Sequence, residues 1–200
     1  MLVHAIMPAS RANGPGLRCV VFVQGCNLNC PGCWNPRSHA FHGAELAIEA
    51  ILAEVVHWHR QHGLDGVTFS GGEPMQQADD LGELLQGLRS ALPTLSLGMF
   101  TGYSEKELET GRYFTRHGVD RDRRQALWRS IRGQLDFAVM GRFNRLQPSQ
   151  APMRTSANQV LRLFSGCYSE SDFGEQMVEI TIAASGLTRT TGFQTLGNPA

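Results

Sequence analysis

Three of the five cysteines lie within eight residues, at Cys26, Cys30 and Cys33 of the stretch GCNLNCPGCWNP. The spacing is C-x3-C-x2-C. A tetrahedral zinc site takes four ligands, and disulfides consume cysteines in pairs. Three thiolates so spaced can hold three irons of a [4Fe-4S] cluster. The fourth iron is then open to an outside ligand, and an open coordination position marks a catalytic site rather than a closed structural one. Two other ligand sets compete. Zinc could take the three thiolates with His39 or His42, although the usual structural pattern pairs two short knuckles and this chain has one. A closed cluster could recruit Cys19 or Cys167. Cys19 falls inside a strand-like run, where it reads as a small buried hydrophobe, and Cys167 reads as a free thiol in a later turn.

The bulk of the chain narrows the setting. At 200 residues it fits one domain, with room for a small appendage. Eighteen basic residues balance eighteen acidic ones. There is thus no basic footprint for nucleic acid and no polybasic membrane anchor. No run approaches the roughly 18 apolar residues of a membrane span, and the first residues lack the pattern of a signal peptide. The expected location is cytoplasmic, where clustered thiols serve metals or redox chemistry more readily than disulfides.

The elements that must position the thiols follow from periodicity. RCVVFVQ (Arg18 to Gln24), GVTFS (Gly66 to Ser70), LSLGMF (Leu95 to Phe100), LDFAVM (Leu135 to Met140) and NQVLRLF (Asn158 to Phe164) read as strands. Helical stripes fill Glu45 to His62, with Gly63 as a stop, and the stretch around Leu81, Leu84, Leu85 and Leu88. An arginine-rich segment, Ser104 to Arg132, holds a short helix after Ser104 and another near Gln125 to Ile131. His57, His59 and His62 read as surface or packing residues of their helix. The tail VEITIAASGLTRTTGF alternates on both sides of Ser185-Gly186 and predicts a β-hairpin. Strand and helix alternation specifies an α/β fold with a parallel sheet and right-handed crossovers. Such folds gather function at the carboxyl ends of their strands. The loops GCNLNCPGC, GGEP and TGY should therefore converge.

Taken together, C-x3-C-x2-C after a strand and TFSGGEP (Thr68 to Pro74) after the next resemble the radical SAM superfamily. NGPGLR (Asn13 to Arg18) before the cysteines, CPGCWNP, TGY (Thr101 to Tyr103), GRF (Gly141 to Phe143) and SANQ (Ser156 to Gln159) narrow the resemblance to its glycyl radical enzyme activases. Within those it is similar to the activating-protein family of the anaerobic ribonucleotide reductase, over about residues 1 to 165. The resemblance implies an incomplete parallel (β/α) barrel of about five or six strands over 1–165, since a full barrel needs about 250 residues. It leaves 166–200 as an extension carrying the hairpin.

The resemblance also implies chemistry. Cys26, Cys30 and Cys33 would hold a [4Fe-4S] cluster whose open iron takes S-adenosylmethionine, with Gly71, Gly72, Glu73, Thr101 and Asn158 contacting that ligand. Asn13, Gly14, Gly16 and Arg18 would face a substrate or partner. No catalytic side chain is expected beyond the cluster and its ligand. A 5′-deoxyadenosyl radical would take a hydrogen atom from a glycine of a partner glycyl radical protein, with the electron coming from an external flavodoxin or ferredoxin. Trp34 could shield the cluster. The sequence departs from the family pattern in three places. VMG stands where an acidic VDG is common, so Met140 replaces an acid that Asp136 could partly restore. The arginine-rich segment is longer, and the tail after Phe164 is additional. These departures keep two other readings open: a radical SAM enzyme acting on a peptide or small metabolite, and a non-catalytic iron–sulfur or zinc module that binds a partner.

Overall fold

The computed structural model describes residues 1–182, Gly186 and 188–193. Its strands are β1 (Leu2–Ser10), β2 (Arg18–Val23), β3 (Ala44–Glu45), β4 (Gly66–Gly71), β5 (Ser96–Thr101), β6 (Phe137–Met140), β7 (Val160–Leu163), β8 (Val178–Ile182) and β9 (Thr188–Gly192). The helices are α1 (Ile48–His62), α2 (Ala78–Ala91), α3 (Glu105–Glu109) and α4 (Arg121–Arg132). Seven strands form one sheet in the order β3-β1-β2-β4-β5-β6-β7. The four central strands, β2, β4, β5 and β6, run parallel, as helical crossovers between successive strands require. α1, α2 and α4 supply those crossovers.

The margins differ from a purely parallel arrangement. β1 pairs antiparallel with β2, and β7 pairs antiparallel with β6. The chain returns from β6 to β7 through residues 141–159 with no helix in between, so β7 reverses direction. β1 has no clean alternation in the sequence, and Pro8 lies in an irregular stretch of its ladder between Met7 and Ser10. β8 and β9 pair antiparallel as a separate two-stranded sheet. The expected turn at Ser185-Gly186 falls partly outside the described residues.

Alternation within the parallel strands gives the sheet two apolar faces. Val21, Val23, Phe69 and Met99 point toward the helices and are fully buried. There they meet Ile51 and Val55 of α1 and the leucine stripe of α2. Each buried leucine contributes about 2 kcal/mol by removal from water. α1 ends at Gly63, whose φ of 62° and N–H bond to the His59 carbonyl form a left-handed stop. The other face carries Phe137 and Val139, covered by Met153, Phe173 and Phe193. Phe173 and Phe193 belong to the C-terminal extension, which therefore packs directly onto the sheet. Among the described residues, no helix is long and apolar enough to cross a membrane.

Arg18 corrects an expectation. Its side chain is wholly buried at the amino-terminal end of β2, at the sheet edge opposite the cysteine loop. Nε donates to Thr68 Oγ1 at 2.7 Å, and Nη2 donates to the carbonyls of Val67 and Ser96 at 2.9 and 3.0 Å. Nη1 reaches the Pro15 carbonyl at 3.0 Å and the Tyr168 hydroxyl at 3.3 Å. The guanidinium lies 5.1 Å from the centre of the Phe137 ring. Burial pulls its pKa down, while Tyr168, Asp136 and Asp65 oppose that shift. With its donors spent inside the protein, Arg18 ties strands together and does not present itself to a partner.

Arg18→Ala is expected to cost about 3 kcal/mol or more, because several buried acceptors lose their donor together. Arg18→Lys should recover only part of this, since one ammonium cannot span β4, β5 and Tyr168. Urea denaturation checks both variants. A wild-type midpoint for Arg18→Ala would show that the guanidinium is not a brace.

Candidate functional site

The cysteine loop leaves β2 at Gln24, whose side chain fastens the loop's far side by donating to the Ala40 carbonyl at 2.7 Å. Gly25 N–H donates to the Ser38 carbonyl at 2.7 Å and Cys26 N–H to the His39 carbonyl at 2.9 Å. These two bonds close the loop on itself. Within it, Cys33 N–H donates to the Cys30 carbonyl at 3.1 Å, and Asn35 N–H points at Cys33 Sγ at 3.4 Å. All three thiols are free and partly exposed. They line one cavity of about 550 Å³.

The donor chemistry suits a polynuclear metal group. Burial pushes the Cys26 thiol up to about 11, although the Leu28 backbone N–H acts against the shift. Cys30 is also raised by burial, opposed by the Phe143 backbone N–H and the charge of Arg142. A positive metal group would oppose that shift, since coordination favours the thiolate. Among the described residues no three His, Cys, Asp or Glu gather around a point that would hold one metal ion. A cluster of several irons, each meeting one thiolate, does not need that convergence. Trp34 and Phe143 pack 5.7 Å apart beside the thiols and line the same cavity.

The GGE segment arrives from β4. Gly72 N–H donates to the Val23 carbonyl at 2.8 Å and Glu73 N–H to the Gly25 carbonyl at 2.9 Å. The two loops are so close that a Cβ on Gly72 would lie 2.5 Å from the Gly25 oxygen. Glu73 is buried and caps the short turn beginning at Pro74. Its carboxylate accepts from Met75 N–H at 3.0 Å, Thr101 Oγ1 at 2.7 Å and Gly102 N–H at 2.7 Å. Burial lifts its pKa to about 7, against the pull of those three donors and of Arg142. Glu73 thus joins the loop after β4 to the loop after β5. Gly71, Gly72, Glu73 and Thr101 all border the cavity that holds the thiols.

Other expected residues are dispersed. Asn158 is exposed, and its side chain donates to the Arg142 carbonyl at 2.8 Å. Its neighbour Gln159 borders the cavity instead. Asn13 lines the cavity, whereas Gly14 lies against Arg18 and Phe137, and Gly16 against Asp65. Cys19 sits in the core beneath the helices, where burial raises its thiol to about 12, and Cys167 is exposed. Met140 is buried on the helix side of β6, so an acid there would meet an apolar core. Asp136 cannot stand in for it. It lies at the opposite end of β6, held by Leu97 N–H at 2.8 Å, Arg89 at 2.9 Å and Ser165 at 2.7 Å.

Two residues that sequence reasoning passed over hold the site together. Gln76 Nε2 donates to Asn27 Oδ1 at 2.5 Å and to the Tyr103 hydroxyl at 2.7 Å, and its carbonyl accepts from Asn27 N–H at 3.1 Å. Gln77 accepts from Leu2 N–H at 2.7 Å and donates to the Leu2 and Gln24 carbonyls at 3.0 Å. Both are buried. The only signal in the sequence is an adjacent polar pair one residue after GGEP, beyond Met75.

The carboxyl of Glu73 holds a proton more tightly folded than unfolded. Its contribution to stability is therefore full below the ordinary value of 4.5 and is lost as pH rises toward about 7. Glu73→Gln is expected to flatten this part of the stability–pH curve, measured by urea titration from pH 5 to 8. An unchanged slope would mean that Glu73 is ionised across the whole range.

Comparison with known proteins gives this geometry a family. A family described as "4Fe-4S single cluster domain" matches residues 12–162. The anaerobic ribonucleoside-triphosphate reductase-activating protein of Escherichia coli (strain K12) is 31% identical over 112 residues, covering 54% of this chain and 73% of that protein. The protein of the same name from Vibrio cholerae is 29% identical over 170 residues, 82% of this chain and 99% of that one. The pyruvate formate-lyase-activating enzyme of Clostridium pasteurianum is 37% identical over 113 residues, 52% of this chain and 46% of that enzyme. The family match covers both the cysteine loop and the GGE segment, and the chain belongs to the radical SAM activases of glycyl radical enzymes, an oxidoreductase family built on a 4Fe-4S single cluster domain.

Proposed function

We propose that Cys26, Cys30 and Cys33 hold a [4Fe-4S] cluster with one open iron, that S-adenosylmethionine binds there, and that a glycine of a partner glycyl radical enzyme is the substrate. The supporting observation is that the three thiols and the loops after β4 and β5 border one cavity at the carboxyl ends of parallel strands. When bound and reduced, this pair supplies a 5′-deoxyadenosyl radical that takes a hydrogen atom from the substrate. The chain's own part is positioning and shielding. Gly71 and Gly72 present backbone without side chains to the ligand's methionyl end. Glu73 and Thr101 fix that wall, and the one lone pair left on Glu73 Oε2 is open to an ammonium donor. Trp34, Phe100 and Phe143 keep water from the reacting atoms. The chain has a single cysteine cluster, so the electron comes from an external flavodoxin or ferredoxin. We place the protein in the cytoplasm with a partner of the anaerobic ribonucleotide reductase type, the kind its relatives' names specify.

Alanine at Cys26, Cys30 or Cys33 is expected to abolish both the iron–sulfur absorbance after anaerobic reconstitution and the release of 5′-deoxyadenosine on reduction. Cys19→Ala and Cys167→Ser should retain both. Loss of the cluster in either control would overturn the open-iron arrangement. Co-expression with a candidate glycyl radical enzyme should give a glycyl radical EPR signal on the partner, and its absence with every such partner would move the substrate elsewhere.

A further inference from the structure

The cavity that holds the thiols has a second wall, and the C-terminal extension makes it. Arg189, Thr190, Thr191, Gly192 and Phe193 all border the space that Cys26, Cys30 and Cys33 border. Gly192 has a φ of 97°, and a Cβ on it would lie 2.2 Å from the Met177 oxygen and 2.7 Å from Ala12 Cβ. Only glycine fits that place. Phe193 is buried, 5.9 Å from the ring of Phe100, and its N–H donates to the Met177 carbonyl at 2.8 Å. Thr191 is buried and accepts from Asn13 Nδ2 at 3.0 Å. The NGPG segment, expected to meet a partner, thus meets the chain's own tail.

We propose that β9 is a resident pseudosubstrate, a glycine-bearing extended segment of this chain seated in the groove that receives the glycine segment of a partner. This rests on the glycine substrate assigned above and adds to it what the groove reads: an extended strand with glycine in the left-handed region followed by an aromatic. The seat is built to release. β8 and β9 form a two-stranded sheet outside the main one, and such pairs are marginal alone. Ile180 and Ile182 of β8 stay largely exposed, so apolar burial holds the pair chiefly through Phe193 at the end of β9. Its main polar anchor is the Glu179 carboxylate, which accepts from Ser10 Oγ, from Arg11 N–H at 2.9 Å and from Ala12 N–H at 3.4 Å. Breaking that anchor raises the fraction of chains with an open groove, and the apparent affinity for a competing peptide rises by the same factor.

The experiment uses the full chain with its cluster reconstituted and a fluorescent peptide Arg-Thr-Thr-Gly-Phe. Glu179→Ala should bind the peptide about tenfold more tightly than wild type, and trypsin should cut it faster after Arg189. Gly192→Ala expels the segment by a different route and should give the same gain, so misfolding of one variant leaves the other to decide. Faster cleavage with unchanged peptide affinity in either variant would overturn the pseudosubstrate. Release of 5′-deoxyadenosine, followed in parallel, separates the two proposals. If it persists while affinity does not change, only the seating of β9 fails. If it is absent while affinity rises, the chemistry assigned to the cavity fails.

Discussion

The parallel strands are held at one end by a single buried cation. Arg18 reaches from β2 to Thr68 and Val67 on β4, to Ser96 on β5 and to Tyr168 in the extension, and lies over Phe137 of β6. Taking a guanidinium out of water is costly, and it is tolerated only where its donors are matched. Here carbonyls and hydroxyls do the matching, with no carboxylate in direct contact among the described residues. The acceptors come from two strands, the Pro15 loop and a distant segment, so the cation demands one relative placement of all of them. Its site fixes the spacing of the sheet and brings the extension onto the sheet's second face.

The opposite edge is fixed by the inverse arrangement. A buried carboxylate, Glu73, gathers donors from the loops after β4 and β5, and the glycine beside it lets the cysteine loop approach within backbone contact. The same parallel sheet thus has a guanidinium at one end and a carboxyl group at the other, each buried and each collecting chain segments distant in sequence. The cavity lies toward the end that carries the Glu73 carboxyl group.

The sequence made much of this legible, and the reasons it failed elsewhere are physical. The four parallel strands and their crossing helices follow from β-branched runs and leucine stripes, because burial on two faces leaves a strong pattern. The convergence of GCNLNCPGC, GGEP and TGY follows from topology. β1 was hidden because it lies near the sheet margin with Pro8 in an irregular stretch, where alternation decays. β7 was expected to continue the parallel order, and the missing helix in 141–159 turns it around. Arg18 misled because an arginine beside a glycine-rich motif looks like a hand held out to a ligand, and only the fold reveals that it points inward. Gln76 and Gln77 were invisible for a related reason: a glutamine pair carries no sign of burial until its partners are known.

The cysteine loop keeps its shape through bonds that involve no metal, those of Gly25 and Cys26 to Ser38 and His39 and those of Gln24 and Gln77 at its base. It differs in this from small metal-dependent domains, where binding and folding are one event. The backbone of the thiols is thereby tied to the end of β2, to residues 38 and 39 and to the turn after GGEP, so a shift of any one of these segments would displace the thiols together.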